Sequence, residues 1–182
     1  MARFINNNKQ LRYMSKKLVI GADHAGLFLK EKIKQYLKKK KIDFEDMGAY
    51  SLDKNDDYPD FALKIAKKVR QIDGRGLLLC GSGTGMAITA NKIRGIRAVV
   101  GVNEDEVFLA RKHNDVNVLC LNGVDYKGIR KKFGRNKRLG NIKLRHTNFK
   151  KTTEMINIFL STGFEGGRHK RRLKKIAKIE SM

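Results

Sequence analysis

The sequence predicts a doubly wound α/β fold, a three-layer α/β/α arrangement around a five-stranded parallel sheet. Four of the five predicted strands are short apolar runs rich in Val, Ile and Leu, and such runs are typical of strands buried on both faces. Segments with near-helical apolar spacing separate them, as in "AGLFLKEKIKQYLKKK" at 25–40. With 182 residues the chain suits one domain.

The elements follow in order from these patterns. Strands are predicted at 17–22, 42–47, 76–80, 97–102 and 117–121. The helices that alternate with them are predicted at 25–40, 58–72, 84–94 and 104–113. Pro59 lies in the first turn of the second helix, where its missing N–H is tolerated. Two further helices are predicted at 149–163, ended by Gly163, and at about 168–180.

The net charge of +23 is concentrated in three segments. Residues 1–17 carry five Lys or Arg and 127–151 carry eleven, in both cases without an acid, while 168–182 carry seven against one Glu. The remainder of the chain nets +1. Such blocks indicate contact with RNA or another polyanion. A solvated lysine-rich surface in a compositionally biased chain is the alternative.

We therefore divide the chain into a basic extension at 1–16 and one domain at 17–182, with a basic insertion at about 122–148. The hydrophobic fraction is 41%, and no apolar run approaches the length of a membrane span. We expect a cytoplasmic protein without membrane contact, or an organellar one if 1–15 is a leader. Its two cysteines and four histidines predict no disulfide framework and no metal site.

The corner "LLLCGSGTG", residues 77–85, ends the third strand and begins a helix. Its glycines leave backbone N–H groups free to surround an anion. Met86 and Ala87 stand where a phosphate loop needs Lys and Ser or Thr. Leu78 stands where a nucleophile elbow needs glycine. Cys80 is then either a proton-abstracting base beside this cradle or a buried strand cysteine, and the second interpretation is preferred for Cys120.

Further polar clusters stand beside other elements. Asp23 and His24 follow the first strand, where an open α/β sheet exposes its loops to ligand, although Asp23 is equally explained as a helix cap. His113 and Asn114 precede the fifth strand. Arg168 and Arg172 are four apart on one helix, a spacing that suits phosphate recognition.

Together these clusters resemble the type B ribose-5-phosphate isomerase family, which also includes galactose-6-phosphate isomerase subunits. The resembling segments stand in family order. They are "GADHAG" at 21–26, "DYP" at 57–59, "CGSGTGMAITANKIRGIRAVV" at 80–100, "HNDVNVL" at 113–119 and "EGGRH" at 165–169.

The resemblance implies aldose–ketose isomerisation of a sugar phosphate through a cis-enediolate, without metal or cofactor. It implies that Cys80 moves the proton between C1 and C2, that Ser82 helps to shuttle protons, and that the amides of 81–87 stabilise the enediolate. Asp23 and His113 resemble the pair that assists ring opening. The implied substrate-binding residues are His24, Tyr58, Gly81, Gly83, Thr84, Gly85, Asn91, Asn114, Arg168, His169 and Arg172.

The resemblance also implies a homodimer, or a tetramer, with His113 and Asn114 reaching into the partner's site. Val124 departs from the family, which has an arginine of the phosphate clamp there, so we expect the basic insertion to replace it or phosphate affinity to fall. The leading hypothesis is interconversion of ribose 5-phosphate and ribulose 5-phosphate. A hexose 6-phosphate substrate, and an isomerase fold that binds RNA or the ribosome, stay open as alternatives.

Overall fold

The computed structural model of the chain describes residues 16–123 and 148–182. Five strands and six helices follow one another in the predicted order. The strands are β1 Leu18–Ala22, β2 Phe44–Asp46, β3 Arg75–Cys80, β4 Ala98–Val100 and β5 Val118–Asn122. The helices are α1 Leu27–Lys39, α2 Tyr58–Gln71, α3 Thr84–Ala90, α4 Glu104–Asn114, α5 Phe149–Ser161 and α6 Gly167–Ile179.

The strands form one sheet in the order β2-β1-β3-β5-β4, and every neighbouring pair is parallel. Side chains alternate between its two faces. One face packs against α1, α4 and α5, with Ile20 and Phe159 completely buried between them. The other packs against α2 and α3 around Ile65 and Met86. This is the predicted three-layer doubly wound fold.

The main differences concern element ends. Helix α3 stops at Ala90, where the sequence predicted helix to residue 94. It ends there because the Asn91 side chain bonds to β4: its Nδ2 donates to the Ala98 carbonyl at 2.8 Å, and its Oδ1 accepts from the Ala98 N–H at 2.7 Å. Gly95, at a φ of 82°, then turns the chain into that strand.

Helix α6 lies outside the three layers. Of its thirteen residues only His169 is buried, and its contacts with the described residues are mainly to α4.

Among the residues that the structure describes, no helix is long and apolar enough to cross a membrane. Residues 1–15 of the predicted extension at 1–16, and residues 124–147 of the predicted insertion, fall outside the described ranges. The expectation for Val124 therefore stays a prediction.

Candidate active site

The turn between β3 and α3 directs a backbone N–H at a sulfur atom. Cys80 is the last residue of β3, and its Sγ accepts a hydrogen bond from the Gly83 N–H at 3.1 Å. Gly83 has a φ of 81°, in the left-handed region that suits glycine. Ser82 is exposed at the tip, where its Oγ accepts from the Thr84 N–H at 3.2 Å. A charge that develops on Sγ would therefore meet one fixed donor, the Gly83 N–H.

Cys80 is only 4% exposed, less open than expected for a thiol at the mouth of a cradle. It packs in the apolar cluster under α2 and α3. Cys120 is completely buried, and burial, followed by the nearby Cys80, raises the pKa of its thiol far above the ordinary value. Cys120 is therefore a core residue that stays protonated, as predicted.

Asp23 and His24 lie at the carboxyl end of β1, beside this turn. The Asp23 N–H donates to the Leu79 carbonyl on β3 at 3.1 Å. Its Oδ1 accepts from the Gly26 N–H at 2.9 Å, so it stabilises the turn before α1, whose N-cap is Gly26. Asp23 is 5% exposed. Burial raises the pKa of its carboxyl group, against the opposing effects of the Gly26 N–H and His24.

His24 is held by Asp56, a residue that the sequence analysis did not select. The His24 Nδ1 lies 2.6 Å from Asp56 Oδ1, and the His24 backbone N–H donates to the same oxygen at 3.0 Å. This hydrogen bond is the main reason that the pKa of His24 is raised, and it outweighs partial burial. The signal was available in "NDDYP" at 55–59, where a second acid precedes the recognised motif.

Close backbone approaches bring the strand ends together. A Cβ on Gly26 would lie 2.4 Å from the Leu79 carbonyl oxygen, and one on Gly123 would lie 2.6 Å from the Gly26 Cα. A Cβ on Gly85 would lie 2.6 Å from the ring of Tyr58. Glycine at these positions lets three loops and one tyrosine ring share the carboxyl edge of the sheet.

The other predicted residues lie at the amino edge. His113 and Asn114 end α4, just before β5. The His113 ring stacks on His169, with centroids 4.2 Å apart and planes 3° from parallel. His169 is 4% exposed; burial lowers its pKa, and the charges of His113 and Arg168 lower it further. Arg168 Nε donates to His169 Nε2 at 3.4 Å, and Arg172 follows one turn later.

Within one chain, the length of the strands separates the residues around Cys80 from those around His113. Cys80 follows β3, whereas His113 precedes β5, and these strands run parallel in register from Gly76–Val118 to Cys80–Asn122. Five residues of strand span about 16 Å. The described chain therefore brings Cys80, Ser82, Asp23, His24 and Tyr58 together, with the glycine turn, and it brings His113, Asn114, Arg168, His169 and Arg172 together elsewhere.

Asn91 requires a correction. It was predicted to bind substrate, but both ends of its amide pair with Ala98. It also follows the last residue of α3, at the opposite end of that helix from the cradle. Its side chain thus fixes β4 to α3 and is not free to contact a ligand at Cys80.

His113, Glu165 and His169 place potential metal-ligating atoms within 4.8 Å of one another. Two of these residues already bond to cationic side chains: Lys112 lies 3.2 Å from Glu165 Oε2, and Arg168 donates to His169. Together with Arg172, three positive side chains lie around the cluster: Lys112, Arg168 and Arg172. Its electrostatics favour an anion over a metal cation.

Comparison with known proteins identifies the family of this chain. The family model described as Ribose/Galactose Isomerase matches residues 18–176. The chain belongs to this family. A probable ribose-5-phosphate isomerase B of Mycoplasma genitalium is 37% identical over 169 residues, 92% of this chain and 97% of the relative. The Escherichia coli ribose-5-phosphate isomerase B is 35% identical over 167 residues, 91% of this chain and 97% of its own.

Solved structures of family members have the same fold. The Mycoplasma genitalium ribose-5-phosphate isomerase B, crystallised with bound ribulose-5-phosphate, superposes with a TM-score of 0.77, covering 92% of this chain and 98% of its own. It is 37% identical. The ribose 5-phosphate isomerase of Thermotoga maritima gives a TM-score of 0.75 at 39% identity, covering 90% of this chain and 99% of its own.

Proposed function

We propose that this family member interconverts ribose 5-phosphate and ribulose 5-phosphate. The supporting observation is the Cys80 sulfur held over the 81–85 turn, with a buried Asp23 and a His24–Asp56 pair beside it. The relative that binds ribulose-5-phosphate has the same fold over nearly its whole length. A hexose 6-phosphate is the alternative substrate.

In the proposed reaction Cys80, as thiolate, removes the proton from C2 of the opened aldose. The electron pair left on C2 forms the C1–C2 double bond of a cis-enediolate, whose oxygen charge the N–H groups of the 81–87 turn stabilise. The same thiol returns the proton to C1, which gives the ketose. Ser82 moves the proton between the two substrate oxygens, so atoms and electrons balance without a cofactor.

One chain does not complete this site, so we propose a homodimer in which each site combines both sheet edges. His113 and Asn114 of one subunit reach the Cys80 cradle of its partner, where His113 acts with Asp23 in ring opening. Arg168 and Arg172 lie on the same subunit as that His113. Together with His24 beside the Cys80 cradle, they bind the substrate phosphate. Arg168 donates to His169, whose ring stacks on His113, and Arg172 follows one turn later, so this positive cluster supports an anion-binding role.

The activity is tested with purified protein and ribose 5-phosphate, measuring ribulose 5-phosphate formation. Galactose 6-phosphate and another hexose 6-phosphate serve as competing substrates at equal concentration. The proposal requires a higher kcat/KM for the pentose. A higher kcat/KM for a hexose phosphate would transfer the assignment to the alternative, and no turnover of any sugar phosphate would reject both.

A second candidate function is binding of RNA or another polyanion. The described observation that favours it is α6, which exposes basic side chains along its length, among them Lys170, Arg171 and Lys174. We expect RNA affinity that falls steeply with salt. Replacing these three residues by Gln should reduce the slope of log K against log salt by about 0.7 per lost phosphate contact. An unchanged slope would remove α6 from the proposal.

For the isomerase we propose a cytoplasmic location.

A further inference from the structure

The loop between β2 and α2 supplies a buried carboxylate to the carboxyl edge. Asp56 has a side chain only 11% exposed, and one oxygen, Oδ1, accepts both the backbone N–H and the ring nitrogen Nδ1 of His24. These two bonds fix the His24 backbone and its imidazole to the same atom. His24 itself is 36% exposed, so the far side of the ring remains accessible.

The second oxygen of Asp56 indicates that this arrangement is not simply good packing. Within the described ranges, Asp56 Oδ2 is buried and accepts no hydrogen bond. A buried acceptor without a donor destabilises a fold. An apolar side chain would avoid that cost, so the carboxylate is best explained by what it does to His24.

We propose that Asp56 is a positioning residue for anion recognition: it orients His24 with Nδ1–H directed inward and Nε2–H directed outward, as a cationic donor for the substrate phosphate. This proposal rests on the proposed function for the identity of the substrate, but not for the pairing itself. An imidazole whose Nδ1 donates to a carboxylate presents Nε2 to the site, and protonation of the ring makes Nε2 a donor. Charge-assisted bonds to phosphate are among the stronger ones in proteins.

Two carboxylates act on the His24 ring, Asp56 from this loop and Asp23 from its own turn, and both raise its pKa. Asp23 is itself buried with a raised pKa, so Asp56 is the main charged partner. The protonated ring therefore persists above the ordinary histidine pKa of 6.5. Asp56→Asn keeps the shape and an acceptor oxygen but removes the charge, and this should return the pKa of His24 towards that ordinary value.

The primary experiment follows the His24 ring by NMR during titration of the whole protein with inorganic phosphate, with the resonance assigned from His24→Asn. Asp56→Asn should lower the pKa of His24 and weaken phosphate binding about tenfold between pH 7 and 8. The difference should disappear well below pH 6.5, where both rings are protonated. Asp60→Asn is the matched control, because Asp60 is an exposed acid in the first turn of α2.

The second experiment is kinetic. Because Asp56 does not reach the reacting carbons in this proposal, Asp56→Asn should raise KM for ribose 5-phosphate about tenfold and leave kcat within about twofold. Asp56→Glu, which restores the charge, should recover part of the loss. A lowered kcat with unchanged KM, or an unchanged titration of His24, would overturn the positioning role. If the wild-type protein binds phosphate but turns over no sugar, only the proposed function fails, and the NMR comparison still decides the role of Asp56.

Discussion

The Sγ of Cys80 accepts the N–H of Gly83 at 3.1 Å, across a turn that only a left-handed residue closes. The sulfur and its donor thus belong to one rigid corner at the end of β3. In the proposed reaction, a negative charge on the sulfur would meet this N–H, and a charge on a substrate oxygen would meet other N–H groups of the turn. This relationship makes Cys80, rather than Cys120, the expected base.

Replacing the two cysteines separately tests that assignment. Cys80→Ala removes the base and should lower kcat/KM by about 10²–10⁴-fold, the usual contribution of a general base. Cys120→Ala removes an equally small group that is completely buried in the core, so kcat/KM should stay within about threefold despite a modest loss of stability. Steady-state assays with matched thermal melts check both. Turnover by Cys80→Ala close to wild type would refute the proposed base.

The separation of the two edges predicts complementation between inactive subunits. If the chain forms the proposed homodimer, the dimers of Cys80→Ala and of His113→Ala should each be nearly inactive. When they are mixed and allowed to exchange, half of the dimers are mixed, and each mixed dimer regains one intact site, so activity should approach about a quarter of wild type. No recovery, with exchange verified by mass spectrometry, would mean that His113 does not act in its partner's site.

Much of the fold followed from local pattern, because four of the five strands are continuous apolar runs and the helices have regular apolar faces. The limits of prediction lay where a side chain bonds to another element of the fold. Asn91 lies in a family-like motif, yet its amide is bound to Ala98. Asp56 stands beside a second acid, Asp57, in sequence, and only its approach to His24, 32 residues earlier, distinguishes it. Such pairings are tertiary contacts that no periodicity reports.

Tyr58 and Gly85 are predicted to couple. A Cβ at Gly85 would lie 2.6 Å from the Tyr58 ring, so Gly85→Ala must displace that partly exposed ring from the cradle and lose part of its packing. Alanine also favours helix over glycine by up to about 1 kcal/mol. Gly85→Ala should therefore be more stabilising in a Tyr58→Ala background than beside Tyr58, by about 0.5 kcal/mol or more. Urea unfolding of the wild type, the two single variants and the double variant measures this coupling. Additive changes in the free energy of unfolding would contradict the contact.

The stability of the chain should depend on Asp46 in a pH-dependent way. Lys30 is completely buried, and its Nζ lies 2.8 and 2.9 Å from the two Asp46 oxygens, while Lys34 Nζ lies 2.6 Å from Oδ2. Burial raises the pKa of Asp46, but the bonds from Lys30 and Lys34 outweigh it and hold that pKa below its ordinary value of 3.8. The charged carboxylate therefore stabilises the fold fully above pH 3.8, and this contribution is lost as the pH falls through the lower folded value.

Asp46→Asn should accordingly destabilise the protein by about 3 kcal/mol at pH 7, because it leaves buried Lys30 with less compensation. The difference from wild type should shrink as the pH falls from 3.8 through the lower folded value, since Asp46 is protonated first in the unfolded and then in the folded wild type. Asp43→Asn is the control: Asp43 is exposed beside the same strand, and its replacement should change stability by less than about 0.5 kcal/mol. Urea unfolding at pH 7 and near pH 3 compares them. An Asp46→Asn effect that persists undiminished in acid would show that packing, rather than charge, makes Asp46 important.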